Sequence, residues 1–243
     1  QLIIQGGKKL FGTINISGSK NASLPILAAT LLVDEKITLK NIPDVKDIST
    51  MINLLESIGK KINFLDSRNE IVITSKKNKK LIAPYNLVKT MRAGVLVLGP
   101  LLAKYGQARV SLPGGCAIGS RPVDLHIDML RKMGAKIKID KGYIVAKVIK
   151  KLKPSKLKFE TISVGATENL IMAATLCKGK TIIKNIAIEP EIIDLINFLN
   201  KSGAKIVFNS KRIITIEGVE SLKGSTHSII PDRIEAGTYA VAS

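Results

Sequence analysis

An α/β (α+β) fold of about three repeated units, with sheets outside and apolar helices inside, is predicted by three observations. The chain repeats itself: residues 24–32 (LPILAATLL) are echoed by residues 170–177 (LIMAATLC), and each stretch is followed by a β-branched strand, residues 37–42 and 181–186. The helices are of two kinds. Those that open copies one and three are apolar nearly all round, which marks helices buried inside a domain. Those that follow, such as residues 48–58, keep a polar side. The strands alternate, as in Lys136-Ile137-Lys138-Ile139-Asp140, so one face of each sheet is wet.

Each copy reads in the same order. In copy one an apolar helix (24–32) leads to a strand (37–42), an amphipathic helix (48–58), Gly59 and a further strand from Lys60. Copy two runs from helix 95–102 to strand 109–112, helix 122–133, Gly134 and a strand at 135–137. There Pro122 suits the first helical position, Asp124 complements the helix dipole, and Leu125, Met129 and Met133 recur on one face. Copy three repeats the series, with Gly203 as its stop. The three glycines, at 59, 134 and 203, lie 75 and 69 residues apart, the length of a whole supersecondary unit. Residues 231–242 (PDRIEAGTYAVA) read as the opening helix of a fourth copy.

The copies disagree at one place. The link from strand to second helix is short in copies one and three, but in copy two it swells into the glycine-rich loop 114–121. Binding residues gather on loops held by a rigid frame, so chemistry is expected there. The loop carries Cys116, with Arg121 five residues on, at the mouth of a helix. A thiol near a cation and a helix N-terminus has a lowered pKa and is reactive. The alternative is a surface turn with an incidental cysteine. Cys177 aligns with Leu32 in an apolar helix and reads as a small core hydrophobe.

Composition bounds the partners. With 243 residues, 45% of them hydrophobic, the chain is one large domain or nearly two. No apolar run approaches the ~18 residues of a membrane span, and no secretory signal is seen, so no membrane insertion is expected. Two cysteines far apart in sequence give no disulfide framework and suit a reducing cytoplasm. No His/Cys/Asp/Glu cluster has metal-ligand spacing, so neither metal nor cofactor is implied. The net charge is +19, but 31 of the 38 basic residues are lysine, scattered along a chain with no tryptophan, four tyrosines and five phenylalanines. Stacking platforms are scarce, and a general attraction for anionic substrates is expected rather than specific nucleic-acid binding.

Five segments carry a resemblance: Ile16-Ser17-Gly18-Ser19-Lys20-Asn21-Ala22, Lys89-Thr90-Met91-Arg92-Ala93, the Cys116 loop, Ser163-Val164-Gly165-Ala166-Thr167 and Pro231-Asp232-Arg233-Ile234-Glu235. They resemble, in one register from Gln5 onward, the UDP-N-acetylglucosamine 1-carboxyvinyltransferases, a branch of the enolpyruvyl transferase family. The resemblance implies an inside-out α/β barrel and transfer of the enolpyruvyl group of phosphoenolpyruvate to the 3-hydroxyl of UDP-N-acetylglucosamine, releasing phosphate. This is the first committed step of peptidoglycan synthesis. It makes Cys116 the catalytic residue, a general acid toward the methylene carbon that also forms a covalent adduct. It assigns Lys20, Asn21 and Arg121 to phosphoenolpyruvate. To the nucleotide sugar it assigns Arg92, Arg121, Pro122, Val123, Asp124, Leu125, Thr161, Ile162, Ser163 and Val164. By itself, a lysine beside a Ser-Gly-Ser turn reads as a solvated cap. His126 is expected on the helix surface, lining the site, and His227 has no motif around it.

Family members have six such units in two globular halves. Residues 20–227 are therefore expected to form the first half, with residues 1–19 and 228–243 belonging to an incomplete second half. The chain corresponds to an N-terminal portion, either a fragment or a shortened gene, and is expected to be inactive alone. Other readings are the related shikimate-pathway enolpyruvyl transferase, which lacks this cysteine loop, a non-catalytic binder of UDP-N-acetylglucosamine, and a nucleic-acid-binding protein.

Overall fold

The computed structural model describes residues 3, 5–7, 9, 11–65, 69–78, 80–89, 91–113 and 123–242. The first unit contains α1 (Lys20–Ala29), β1 (Ile37–Lys40), α2 (Lys46–Ile58), β2 (Lys60–Phe64) and β3 (Ile71–Ser75). The second contains β4 (Ile82–Ala83), α3 (Tyr85–Val88), a 3-10 turn (Arg92–Val97) running into α4 (Leu98–Tyr105), then β5 (Gln107–Ser111), α5 (Asp124–Lys132), β6 (Lys136–Asp140) and β7 (Tyr143–Lys147). The third contains β8 (Lys156–Lys158), α6 (Val164–Thr175), β9 (Gly179–Lys184), α7 (Pro190–Lys201), β10 (Lys205–Ser210) and β11 (Ile213–Gly218). After it come β12 (Thr226–Ser228) and α8 (Arg233–Ala242).

Among the described residues the strands form three four-stranded sheets of one topology: β12-β1-β3-β2, β4-β5-β7-β6 and β8-β9-β11-β10. In each, a short strand pairs in parallel with the first long strand, and the other pairings are antiparallel. In the second and third units the short strand, β4 or β8, comes before that unit's helices. β12 follows the third unit and returns to the first, Leu39 opposite His227, which closes the three units into a ring.

The inside of the ring is helical. From Ala22 onward every residue of α1 is buried, as is α6 from Ala166 onward; both pack on the 3-10 turn, and α6 packs on α4 as well. The second helices α2, α5 and α7 bury one face each, through Met51, Leu54 and Leu55 in α2 and Leu195, Phe198 and Leu199 in α7. Burying each such side chain stabilises by roughly 1.5–3 kcal/mol. Between sheet and helices the strands alternate, as in β7, where Ile144 and Ala146 are buried. Gly59, Gly134 and Gly203 all have positive φ (131°, 93° and 99°), the backbone state in which glycine ends a helix at no steric cost.

Two expectations are corrected. The helix after the cysteine loop opens at Asp124, with Val123 at its cap, rather than at Pro122. The helix expected over residues 95–102 is 3-10 up to Val97 and α-helical only from Leu98. Cys177 is 1% exposed, as a core residue, with its Sγ 2.8 Å from the Leu152 carbonyl, and burial pushes its thiol up to about 11.

Candidate active site

Those predicted substrate residues that are described stand at or just before the N-terminal ends of helices. Ser19 caps α1 by accepting the Ala22 N–H (3.2 Å). Lys20 and Asn21 follow, Asn21 exposed. The Lys20 ammonium is half-exposed and sits 3.0 Å from Asp47 in the first turn of α2. An exposed ion pair of this kind is worth at most about 1 kcal/mol, so its main effect is to hold the cation between two helix starts. Asp47 was not among the residues predicted, because nothing in the sequence marks an aspartate 27 positions away as a partner.

Arg92 opens the 3-10 turn and is partly exposed. Val123 and Leu125 are partly buried at the start of α5, whereas Asp124 is exposed where its charge complements the helix dipole. Thr161 and Ile162 are exposed just before α6, Ser163 caps that helix by accepting the Ala166 N–H (3.3 Å), and Val164 is exposed at its first position. Cys116, Arg121 and Pro122 lie outside the described residues.

The starts of α4 and α5 meet at Asn169, in the middle of α6. Its Oδ1 accepts the Gly99 N–H (2.6 Å), its Nδ2 donates to the Val95 carbonyl (3.0 Å), and Nδ2 lies 3.0 Å from His126 Nδ1. His126 is not on the helix surface as expected but is 9% exposed, with Gly165 of α6 directly against its ring. Burial lowers its pKa to about 4, so the ring is neutral at pH 7. The arrangement thus brings Val123–Leu125, Ser163–Val164 and the Arg92 turn to one junction. α1, carrying Lys20 and Asn21, packs against the same turn and against α6. Asn169 was missed by the sequence reading, although an amide at the head of the apolar run 170–174 was its visible mark.

Glu168 is a further buried titratable group. Desolvation, reinforced by the charges of Glu191 and Glu189, holds its pKa well above the usual carboxylate range. Glu191 is bridged by Arg233 of α8, Oε1 to Nε at 2.9 Å. His227 pairs its Nε2 with Asp194 Oδ1 at 2.9 Å and meets the Phe198 ring edge-on, fastening β12 to α7. Among the described residues no group of three or more His, Cys, Asp or Glu side chains is placed to hold a metal ion, and no helix is long and apolar enough to cross a membrane. A surface hollow of about 220 Å³ beside Ser17, Asn41 and Asp44 contains none of the predicted substrate residues.

The chain is 59% identical over all 243 residues to a UDP-N-acetylglucosamine 1-carboxyvinyltransferase of Pelagibacter ubique (strain HTCC1062), of which it covers 58%. It is 56% identical over its whole length to the protein of the same name from Coxiella burnetii (strain Dugway 5J108-111), covering 56% of it. The chain therefore spans little more than half the length of these relatives. Among solved structures, the enolpyruvyl transferase NikO from Streptomyces tendae superposes with a TM-score of 0.86 at 20% identity, over 98% of this chain and 56% of that one. At that identity the likeness shows the fold, the inside-out α/β barrel of enolpyruvyl transferases. The family model for EPSP synthase (3-phosphoshikimate 1-carboxyvinyltransferase) matches residues 4–243, and the chain belongs to that family.

Proposed function

We propose that the chain is the nucleotide-sugar-binding portion of a cytoplasmic enzyme that transfers the enolpyruvyl group of phosphoenolpyruvate to the 3-hydroxyl of UDP-N-acetylglucosamine, a step of cell-wall synthesis. The observation that carries the reading is the identity of 54–59% along the whole chain to proteins of that named activity. The geometry supports it, because both substrates are polyanions. They meet two cationic side chains, Lys20 and Arg92, beside the capped N-termini of α1 and α6, where backbone N–H groups and the helix dipoles favour negative charge.

In this reading residues 20–227 form one globular half, while residues 1–19 and 228–243 belong with the other. α8 supports that division, since it buries none of its residues here and leaves Ile234, Tyr239 and Val241 exposed. Val123, Asp124 and Leu125 form one edge for the uridine, with Pro122, and Thr161, Ile162, Ser163 and Val164 form the second. Arg92 and Arg121 bind the nucleotide sugar; Lys20, Asn21 and Arg121 bind phosphoenolpyruvate. The Cys116 thiol gives its proton to the methylene carbon of phosphoenolpyruvate as the sugar hydroxyl, losing its own proton to a base from the other half, attacks the adjacent carbon. The tetrahedral ketal then loses phosphate, and a proton leaves the new methyl group to restore the enol ether. Fixed cations stabilise the charge that develops along this path.

Calorimetric titration separates this reading from its nearest relative. The 243-residue chain should bind UDP-N-acetylglucosamine and ignore shikimate 3-phosphate. The reverse preference would overturn the assignment. The chain by itself should release no phosphate from the two substrates at an enzymatic rate.

A further inference from the structure

We propose that Asn169 is a positioning residue that sets where Arg92 stands. The inference rests on the nucleotide-sugar reading above and deepens it. The first helices of units one and three are α-helical from their opening residue, but the second unit runs 3-10 from Arg92 to Val97. At the change of helix type, Val95 O and Gly99 N–H are the two groups, four residues apart, that an α-helix joins directly. Both are engaged by the amide of Asn169, which reaches across from α6. A side chain inserted into the helix ladder is a known cause of a bend. The Val95 carbonyl also accepts from the Leu98 N–H, the tighter 3-10 pattern.

The orientation of the amide is fixed by chemistry. Gly99 N–H can only donate, so the oxygen of Asn169 faces it, and the NH₂ group faces Val95 and His126. His126 Nδ1 then accepts, and its proton sits on Nε2. A neutral ring keeps this acceptor in place at pH 7. Gly99 completes the junction, since a Cβ there would overlap the side-chain and backbone oxygens of Asn169. One amide therefore locks the Arg92 turn to α6, which carries Ser163 and Val164, and to α5, which carries Val123–Leu125.

The test uses the 243-residue chain and UDP-N-acetylglucosamine, with folding checked by thermal melts. Asn169→Ala should weaken binding at least about tenfold. In the unliganded protein it should also shift the Arg92 Nε–H resonance while leaving that of Arg131, at the far end of α5, in place. A folded Asn169→Ala that binds like the parent, or leaves the Arg92 resonance unmoved, overturns the proposal. If the alanine variant does not fold, the near-isosteric Asn169→Asp replaces it. That variant keeps the acceptor for Gly99 but loses the donor to Val95 and His126, and it is held to the same two outcomes. A parent chain that binds no UDP-N-acetylglucosamine sinks the nucleotide-sugar reading, and this inference with it.

Discussion

Units one and three turn from strand to second helix in the same way, and unit two carries a different sequence at the equivalent place. Asn41 and Asn185 each adopt a left-handed conformation (φ 58° and 57°) two residues beyond the buried Leu39 and Ile183. Each donates its side-chain Nδ2 to a carbonyl just past the neighbouring parallel strand, Ile229 O and Phe159 O, at 2.9 Å. Two residues beyond the equivalent Val110, the second unit carries Leu112, followed by Pro113 and the glycine-rich segment. The first helices differ in parallel. α1 and α6 begin at a serine that caps the helix through its side chain, whereas the Arg92 turn has no side-chain cap and is held by Asn169 instead. The scaffold is thus repeated three times by packing, and the second copy departs from it at the two places that carry the candidate site.

Breaking that departure should cost the most. Gly99→Ala places a methyl group into Asn169, and a clash between two buried helices of this kind costs about 3 kcal/mol, read as a lower urea midpoint. Next in size is the pH response of the buried ring in unit two. The folded pKa of His126 is depressed from 6.5 to about 4, so its contribution is whole above pH 6.5 and is lost as pH falls toward 4. Up to about 3 kcal/mol disappears across that window. His126→Gln, which has no titrating ring, should lack this part of the slope when unfolding free energy is followed against pH. An equal slope in both proteins would contradict a buried, neutral His126.

The capping serines that unit two lacks provide a smaller effect. Ser19→Ala and Ser163→Ala should each cost about 1 kcal/mol by chemical denaturation, each leaving a helix N–H without its side-chain acceptor. Smallest is Gly165→Ala. A Cβ there would meet the His126 ring at 3.5 Å, an ordinary contact, so stability should change by no more than about 0.5 kcal/mol. A loss at Gly165 as large as that at Gly99 would show that the tight point of the junction has been misplaced.

The repeated scaffold was legible in the sequence because each layer leaves a periodic trace. The all-apolar helices, the alternating strands and the glycines at 59, 134 and 203 appear where their spacing placed them. The closure of the ring by β12 was not legible, since three residues around His227 carry no pattern that names β1 as their partner. The candidate substrate residues were marked by motif, but what holds them was not. Lys20–Asp47, Asn169–His126 and Asp194–His227 join residues 27, 43 and 33 positions apart, and such pairs exist only once the helices have packed. His126 was misjudged for the same reason. A histidine on an amphipathic helix reads as polar surface until the neighbouring helix is known to bring an amide to it.

The most direct test follows backbone amide resonances of the 243-residue chain as UDP-N-acetylglucosamine is added. Saturable shifts are expected at Arg92, Val123–Leu125 and Ser163–Val164, with none around Asp34 and Glu220, which line a second hollow with Leu32 and Lys104 and without any predicted substrate residue. Shifts confined to that hollow, or no shifts at any of the named helix starts, would contradict it.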